Sequence, residues 1–366
     1  MDVPDQKPLR RKCFARLTDV ASLAGVSPSV AGMVINGSGK GNSRASDATR
    51  ERVLAAARQL GYKPLQAARQ LRGALTGTYG VLVVSAGDPL RSFLIQYLDT
   101  QVAALGQHII ICNTVDDHDP GGRFLAEVES LEHRRVDGVF CAVHHWWPGD
   151  RAALLQLHPN TVFFEDPGIP GAAVVAPDRA AAVRLALRHL AGRGRRACGL
   201  LVQNATSTTG RARVQAFQDE CQALGLPFRP EWIFDARQQA ADCGRHDPAT
   251  RTWAFPVEVA EAAVEHLVGR QRVDAIVAHN DLWASVCLRS LRARGVRVPE
   301  QVAVIGYLNH YAADWTDPPL TSLDPCYEAA AQAMIEAMRR MVAGRPAAEQ
   351  PQPVLVAPRL VQRCST

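Results

Sequence analysis

The chain has 366 residues, 47% of them hydrophobic, which is too long for one ordinary domain and apolar enough to fill more than one core. That composition excludes a disordered chain, and no apolar run approaches the length of a membrane-spanning helix. The net charge is +5, but 13 of the 41 Lys and Arg residues and only five of the 36 Asp and Glu lie in residues 1–73, a local surplus of eight against a deficit of three beyond. A first helix is predicted over Leu17–Ala24, with Val20, Leu23 and Ala24 on one face. Gly25 turns the chain. Ser27 then reads as an N-cap and Pro28 as the first position of a second helix, which carries Val30, Val34 and Ile35 inward and stops at Asn36-Gly37. After the polar loop Gly37–Ser43, a third helix starts at Ser46-Asp47, turns Val53, Ala57 and Leu60 inward and ends at Gly61. Tyr62-Lys63-Pro64 must be extended, and Leu65–Leu71 reads as a short helix closed by Arg72-Gly73.

From residue 74 strands alternate with helices. Strands are expected at Tyr79–Val84, His108–Cys112, Gly138–Val143, Thr161–Phe164, Ala173–Val175, Cys198–Val202, Trp232–Phe234, Ala275–Ala278 and Val302–Ile305. Helices are expected near 90–105, 120–133, 179–192, 211–224, 257–268 and 282–294. This alternation predicts parallel sheets built from βαβ units, and so many strands predict two sheets with a ligand cleft between them. The nine cysteines show no CxxC pair and no metal-ligand spacing, which fits a reducing cytoplasm. Cys112, Cys141 and Cys198 sit in apolar runs and read as buried hydrophobes. The start MDVPDQKPLRRKC has basic residues without an apolar core after them and does not read as a secretory signal.

The stretches LTDVASLAGVSPSVAGMVINGS and RASDATRERVLAAARQLGYKPLQAARQLRG resemble the N-terminus of the lactose/galactose repressor family of bacterial transcription regulators. HNDLWASVCLRSLRARGVRVPEQVAVIGY and DPPLTSL resemble the same family's effector-binding core, and VLVAPRLVQRCST its C-terminal end. The resemblance implies a small all-α helix-turn-helix headpiece and an α/β periplasmic-binding-protein-like core of two parallel-sheet subdomains. The headpiece would span 1–63, a hinge helix 64–73, the N-terminal subdomain 74–176 and 324–343, and the C-terminal subdomain 177–323 and 344–366. It further implies a homodimer on a near-palindromic DNA operator, with the second helix in the major groove and paired hinge helices in the minor groove. Leu71 matches the family's wedge leucine, and Ala68 the small residue where hinge helices meet.

The second helix departs from the family. Where members usually carry Thr-Val-Ser-Arg, this chain has Val30-Ala31-Gly32-Met33, without the hydroxyls for phosphate or the arginine for a guanine edge. Base readout is left to Ser29 and Met33, with Ser27, Pro28 and Asn36 alongside; Met33 and Val30 can equally pack inward. Phosphate contact falls to Lys40, Arg44, Arg50, Arg52 and Lys63.

The effector site departs as well. The family's arginine and asparagine are matched by Arg213 and Asn280, with Arg211 a nearby rival, but the acid expected after Gly306-Tyr307 is Leu308. Trp253, Trp283, His144 and Trp146 fall near cleft-lining positions, and Arg91 is a further candidate. Asp281 reads as a helix cap, and Glu165-Asp166 as loop and turn residues. An effector that is anionic, aromatic or less hydroxylated than a simple hexose is expected. No nucleophile–base pair, phosphate loop or metal triplet is found, so neither an enzyme, a metal nor a cofactor is expected. The expected function is that of a cytoplasmic, nucleoid-associated, effector-controlled repressor; the alternative is a solute-binding protein with the same core fold.

Overall fold

The computed structural model describes residues 15–36, 45–62, 75–84, 89–114, 123–143, 150–242, 257–344 and 352–366. They belong to two compact units, Met1–Thr76 and Gly77–Thr366.

The first unit holds α1 (Leu17–Ala24), α2 (Pro28–Asn36) and α3 (Asp47–Gln59). Gly25 ends α1 in the left-handed region, φ +66°, which a residue without Cβ adopts without strain. Two residues on, the Ser27 hydroxyl accepts the Val30 N–H at 3.3 Å and caps α2. Ser46 does the same for α3, accepting the Thr49 N–H at 3.3 Å. Val20, Ala21, Ala24, Ala31, Val53 and Ala56 form the small core, with Val34 and Ile35 packed against it. The alanines let the helices approach closely. Leu23 and Leu60 depart from expectation, being 48% and 37% exposed. The inward stripe of α1 runs through Val20, Ala21 and Ala24, so Leu23 falls outside it. Leu60 follows the last residue of α3 as its C-cap, where the inward face has ended.

The second unit contains twelve strands among the described residues: β1 (Thr78–Val84), β2 (His108–Thr114), β3 (Gly138–Ala142), β4 (Thr161–Phe164), β5 (Ala173–Pro177), β6 (Cys198–Val202), β7 (Ile233–Asp235), β8 (Ala275–Val277), β9 (Ala303–Tyr307), β10 (Thr321–Asp324), β11 (Val354–Val356) and β12 (Arg359–Val361). Its helices are α4 (Pro89–Ala104), α5 (Arg123–His133), α6 (Asp150–Leu157), α7 (Arg179–Gly192), α8 (Thr208–Ala223), α9 (Ala236–Asp242), α10 (Val257–Val264), α11 (Asp281–Ala293) and α12 (Tyr327–Val342). The strands make two six-stranded sheets, ordered β11-β5-β4-β3-β1-β2 and β12-β10-β9-β8-β6-β7. Their pairings are parallel except for β10 with β12. Cys112, Cys141 and Cys198 are buried in strands, as their apolar neighbours predict.

The chain passes between the two lobes three times. It crosses after β5, after β10 and between β11 and β12, because α7 packs in the second lobe while α12 packs on the first sheet. The last crossing corrects the expected boundary. Residues 344–366 do not all belong to the second lobe: β11 pairs with β5 in the first sheet, and only β12 joins the second. Strands of three residues carry too little periodicity to show this in a sequence. The helices α6, α9 and α12 were not expected either. In α12 the inward stripe Tyr327, Ala330, Ala331, Met334, Ile335 and Met338 has helical spacing, half hidden by its alanines. Beyond α10 the chain continues through a wide π-helical turn, Glu265–Arg270.

Candidate functional site

Parallel strands deliver side chains from their carboxyl ends, and in this core several such ends converge. Glu165 follows β4 and Arg179 opens α7 after β5, both leaving the first sheet. Arg213 lies in the second turn of α8 after β6, His279 and Asn280 follow β8, and Tyr307 ends β9.

Local structure decides how Arg213 is aimed. Ser207 caps α8 by accepting the Gly210 N–H at 3.0 Å. The carbonyl oxygen of Asn204 comes 1.8 Å from where a Cβ on Gly210 would stand, so only glycine lets the loop close on the helix start. The inward face of α8 then carries Gly210, Arg213, Ala216, Phe217 and Glu220. Arg211 is exposed and donates to the Thr206 carbonyl. Of the two rival arginines, Arg213 is therefore the one turned into the protein.

Arg213 is 7% exposed, and its guanidinium carbon sits 5.5 Å from the centroid of the Tyr307 ring. This cation–π contact is its polar company: among the described residues it makes no hydrogen bond and no ion pair. Burial, and then the neighbouring Arg179 charge, pull the Arg213 guanidinium down to about 10. Arg179 is compensated. It donates to Glu165; burial pulls Arg179 down, but the Glu165 carboxylate, with Tyr307 and Tyr327, more than offsets this and holds it above its ordinary value. Glu165 is thus no solvated loop residue, as its sequence neighbours suggested, but the half-buried partner of an arginine at the start of α7. Asp166 does serve the turn, accepting the Gly168 N–H at 2.7 Å.

His279 is held well below its usual value by burial and then by Arg213 and Arg179, so it is neutral. Its Nδ1 accepts the Gln203 N–H at 3.4 Å, which places the ring proton on Nε2. Burial pushes the Tyr307 phenol up, and its Oη has no hydrogen-bond partner among the described residues.

The other expected effector residues fall differently. The Asn280 Oδ1 accepts the Trp283 N–H at 3.0 Å, so Asn280, and not Asp281, is the cap of α11. Its amide nitrogen has no hydrogen-bond partner among the described residues. Asp281 is instead buried, accepting from the Ser322 hydroxyl at 2.6 Å and from the His310 N–H at 2.7 Å. Trp283 is no flat cleft wall: it is buried in an apolar cluster with Trp232 and Leu288, and its ring backs His279 at 5.1 Å. Leu308 is buried with φ +120°, its N–H donating to the Leu323 carbonyl at 2.8 Å. His144, Trp146 and Trp253 lie outside the described residues, as does the side chain of Arg91.

In the first unit Ser27, Pro28 and Ser29 are exposed at the start of α2, and Met33 is half-buried. Arg50 and Arg52 are exposed on α3. Lys40, Arg44, Lys63, Ala68 and Leu71, with the whole hinge segment 64–73, lie outside the described residues, and so does the side chain of Asn36. Among the described residues no group of three or more His, Cys, Asp or Glu side chains could hold a metal ion.

Known proteins bear on both units. The family described as "Bacterial regulatory proteins, lacI family" matches residues 16–65, and "Periplasmic binding protein-like domain" matches residues 187–366. The chain is 32% identical over 338 residues to an HTH-type transcriptional regulator in the aml 5′ region of Streptomyces limosus, covering 90% of this chain and 88% of that one. It is 26% identical over 312 residues to the HTH-type transcriptional repressor PurR of Mannheimia succiniciproducens, covering 85% and 86%. In fold it is similar to the lac repressor dimer bound to operator and the anti-inducer ONPF, with a TM-score of 0.75, 21% identity and coverage of 96% and 98%. A three-helix basic unit before a two-lobed core, with 90% of this chain matched by a relative 32% identical to it, leaves one assignment: the chain belongs to the LacI family of bacterial regulatory proteins, DNA-binding transcription regulators controlled by an effector.

Proposed function

We propose that the chain is a repressor that binds a near-palindromic operator as a homodimer and responds to a small molecule held between its lobes. Arg213 carries this reading. A buried guanidinium without an ion pair costs several kcal/mol to hold in place, and a ligand that meets it recovers that cost. It stands where strand ends of both sheets converge, the ordinary ligand position of such folds. The lac repressor structure, with operator and anti-inducer together, illustrates how one chain joins both tasks.

In the headpiece, exposed Ser29 and half-buried Met33 of α2 read base edges, Met33 through a thymine methyl. Ser27 and Pro28 set the start of that helix. Arg50, with Lys40, Arg44 and Lys63, contacts phosphates; Ala68 and Leu71 pair and wedge in the minor groove. Asn280 and Leu308 border the effector site, Trp283 supports it through His279, and Arg91, His144, Trp146 and Trp253 are the further residues assigned to effector binding. The chain acts in the cytoplasm, on the nucleoid, and has no catalytic role.

The test is DNA selection from random sequence with the full-length protein, followed by titration of the selected operator with and without a cell extract of small molecules. Release or tightening that is lost in Arg213→Ala supports the reading. An Arg213→Ala protein that responds like the parent sinks the assignment of the site. A protein that binds small molecules but no DNA is the solute-binding protein of the alternative reading.

A further inference from the structure

Resting on that effector site, we propose that its ligand is a small organic anion, bound through carboxylate or phosphate oxygens by Arg213, Tyr307 and His279, with Glu165 as the competing carboxylate that holds Arg179 at the crossing between the lobes when the site is empty.

The polar groups of the site divide unevenly into donors and acceptors. Arg213 offers guanidinium N–H groups, none of them engaged among the described residues. The Tyr307 hydroxyl is 96% buried with its residue and has no hydrogen-bond partner among the described residues. The tautomer set by Gln203 turns His279 Nε2 into a donor, and the open half of the Asn280 amide is its NH₂. Among the described residues acceptors are scarce. Leu308 stands where an acid could have been, Asn280 Oδ1 is used by the Trp283 N–H, and Asp281 is filled by Ser322 and His310. Glu165 is held by Arg179.

A polyol brings hydroxyl hydrogens that need acceptors, and each one left unpaired in a buried site costs binding. An anion brings only acceptors. The charge balance points the same way: among the described residues the buried Arg213 and the largely covered Arg179 face the Glu165 carboxylate, which leaves one positive charge to be met. Field and hydrogen-bond pattern therefore select the same chemistry.

Glu165 adds a means of readout. It follows β4 of the first sheet, and Arg179 opens α7 where the chain crosses from β5 to the second lobe, so their ion pair sits on a crossing between the lobes. Arg179 and Arg213 are close enough for each to feel the other's charge. An anion on Arg213 shares this field with Glu165 and weakens its hold on Arg179. Binding thereby changes the relative energy of lobe arrangements, as a ligand must if it is to shift their populations.

The experiment is calorimetric titration of the full-length protein, at constant ionic strength, with acetate, benzoate and inorganic phosphate, and separately with glucose and cellobiose. Saturable millimolar binding of at least one anion is expected, and none of either sugar; acetate and benzoate against phosphate identify the head group. Arg213→Leu should weaken the anion about a hundredfold, with Arg213→Lys intermediate. Circular dichroism and retained DNA binding establish that the variants fold. Glu165→Gln removes the competing charge and should tighten the anion about tenfold. Saturation by a sugar in an Arg213-dependent manner, or by none of the five probes, overturns the anionic class but leaves the cleft as the effector site. Anion binding that survives both Arg213 variants overturns the site itself. Weaker anion binding in Glu165→Gln overturns the competing role of that carboxylate.

Discussion

Asp281 and Gly306 are pressed together across two elements of the second lobe. The Asp281 Oδ1 stands 2.1 Å from where a Cβ on Gly306 would lie, and the Leu320 side chain is 2.9 Å from the same point. Gly306 lies in β9, and Asp281 is tied to β10 by Ser322, so neither is free to withdraw. Gly306→Ala should destabilise the core by about 1–3 kcal/mol, the usual penalty for overpacking. Urea denaturation of the two proteins reads this directly, and an unchanged midpoint would show that Asp281 is not fixed there.

The same aspartate gives the core a pH dependence. Burial raises its carboxyl to about 6, against the Ser322 hydroxyl and His310 N–H that favour the charged form. The folded state therefore binds this proton more tightly than the unfolded chain, whose aspartate titrates near 4. Stability from this group is fully present below about pH 4 and is lost as pH rises through about 6. The loss is on the order of 3 kcal/mol. Asp281→Asn removes it, so the difference in unfolding free energy between parent and variant should change across pH 4–6.5 and stay flat above. A difference that is constant throughout removes Asp281 as the cause.

In the headpiece, Gly32 is a buried glycine inside α2. A Cβ there would meet Leu17 Cδ2 at 3.4 Å, an ordinary contact. Gly32→Ala should therefore raise headpiece stability by up to about 1 kcal/mol, because alanine has less backbone freedom to lose. Thermal unfolding followed by circular dichroism of the full chain is the measurement. A lower transition would mean that α2 needs the glycine for a reason other than space.

DNA binding should be strongly salt-dependent, since residues 1–73 carry a surplus of eight positive charges. Each neutralised phosphate contributes about −0.9 to the slope of log K against log salt. Arg50→Ala should lower affinity for all sequences alike and flatten this slope by about one. Leu71→Ala should behave differently, losing affinity for operator but not for random DNA, because a wedge acts only where the duplex is bent. Fluorescence anisotropy on both DNAs separates the two behaviours. Equal loss on both with Leu71→Ala would make residues 65–73 a tether.

The sequence by itself determined what depends on near neighbours. Gly25, the Ser27-Pro28 start of α2 and the Ser46 cap of α3 are visible because a cap or a left-handed turn is a matter of a few adjacent residues. Thr161–Phe164 and Cys198–Val202 were legible as strands to the residue, being continuous buried runs. Tertiary structure decided everything that needs two distant residues at once. Arg211 and Arg213 are two positions apart on one helix, and only the packing of that helix's buried face shows that the second lies inward, over Tyr307. Glu165 looked like loop solvation until the fold set Arg179, 14 residues on, against it. Asp281 looked like a cap until Ser322, 41 residues away, and the His310 N–H claimed its oxygens and left the capping to Asn280. A side chain's chemistry is fixed by its type, but its charge state, its partners and its direction are fixed by what the fold brings against it.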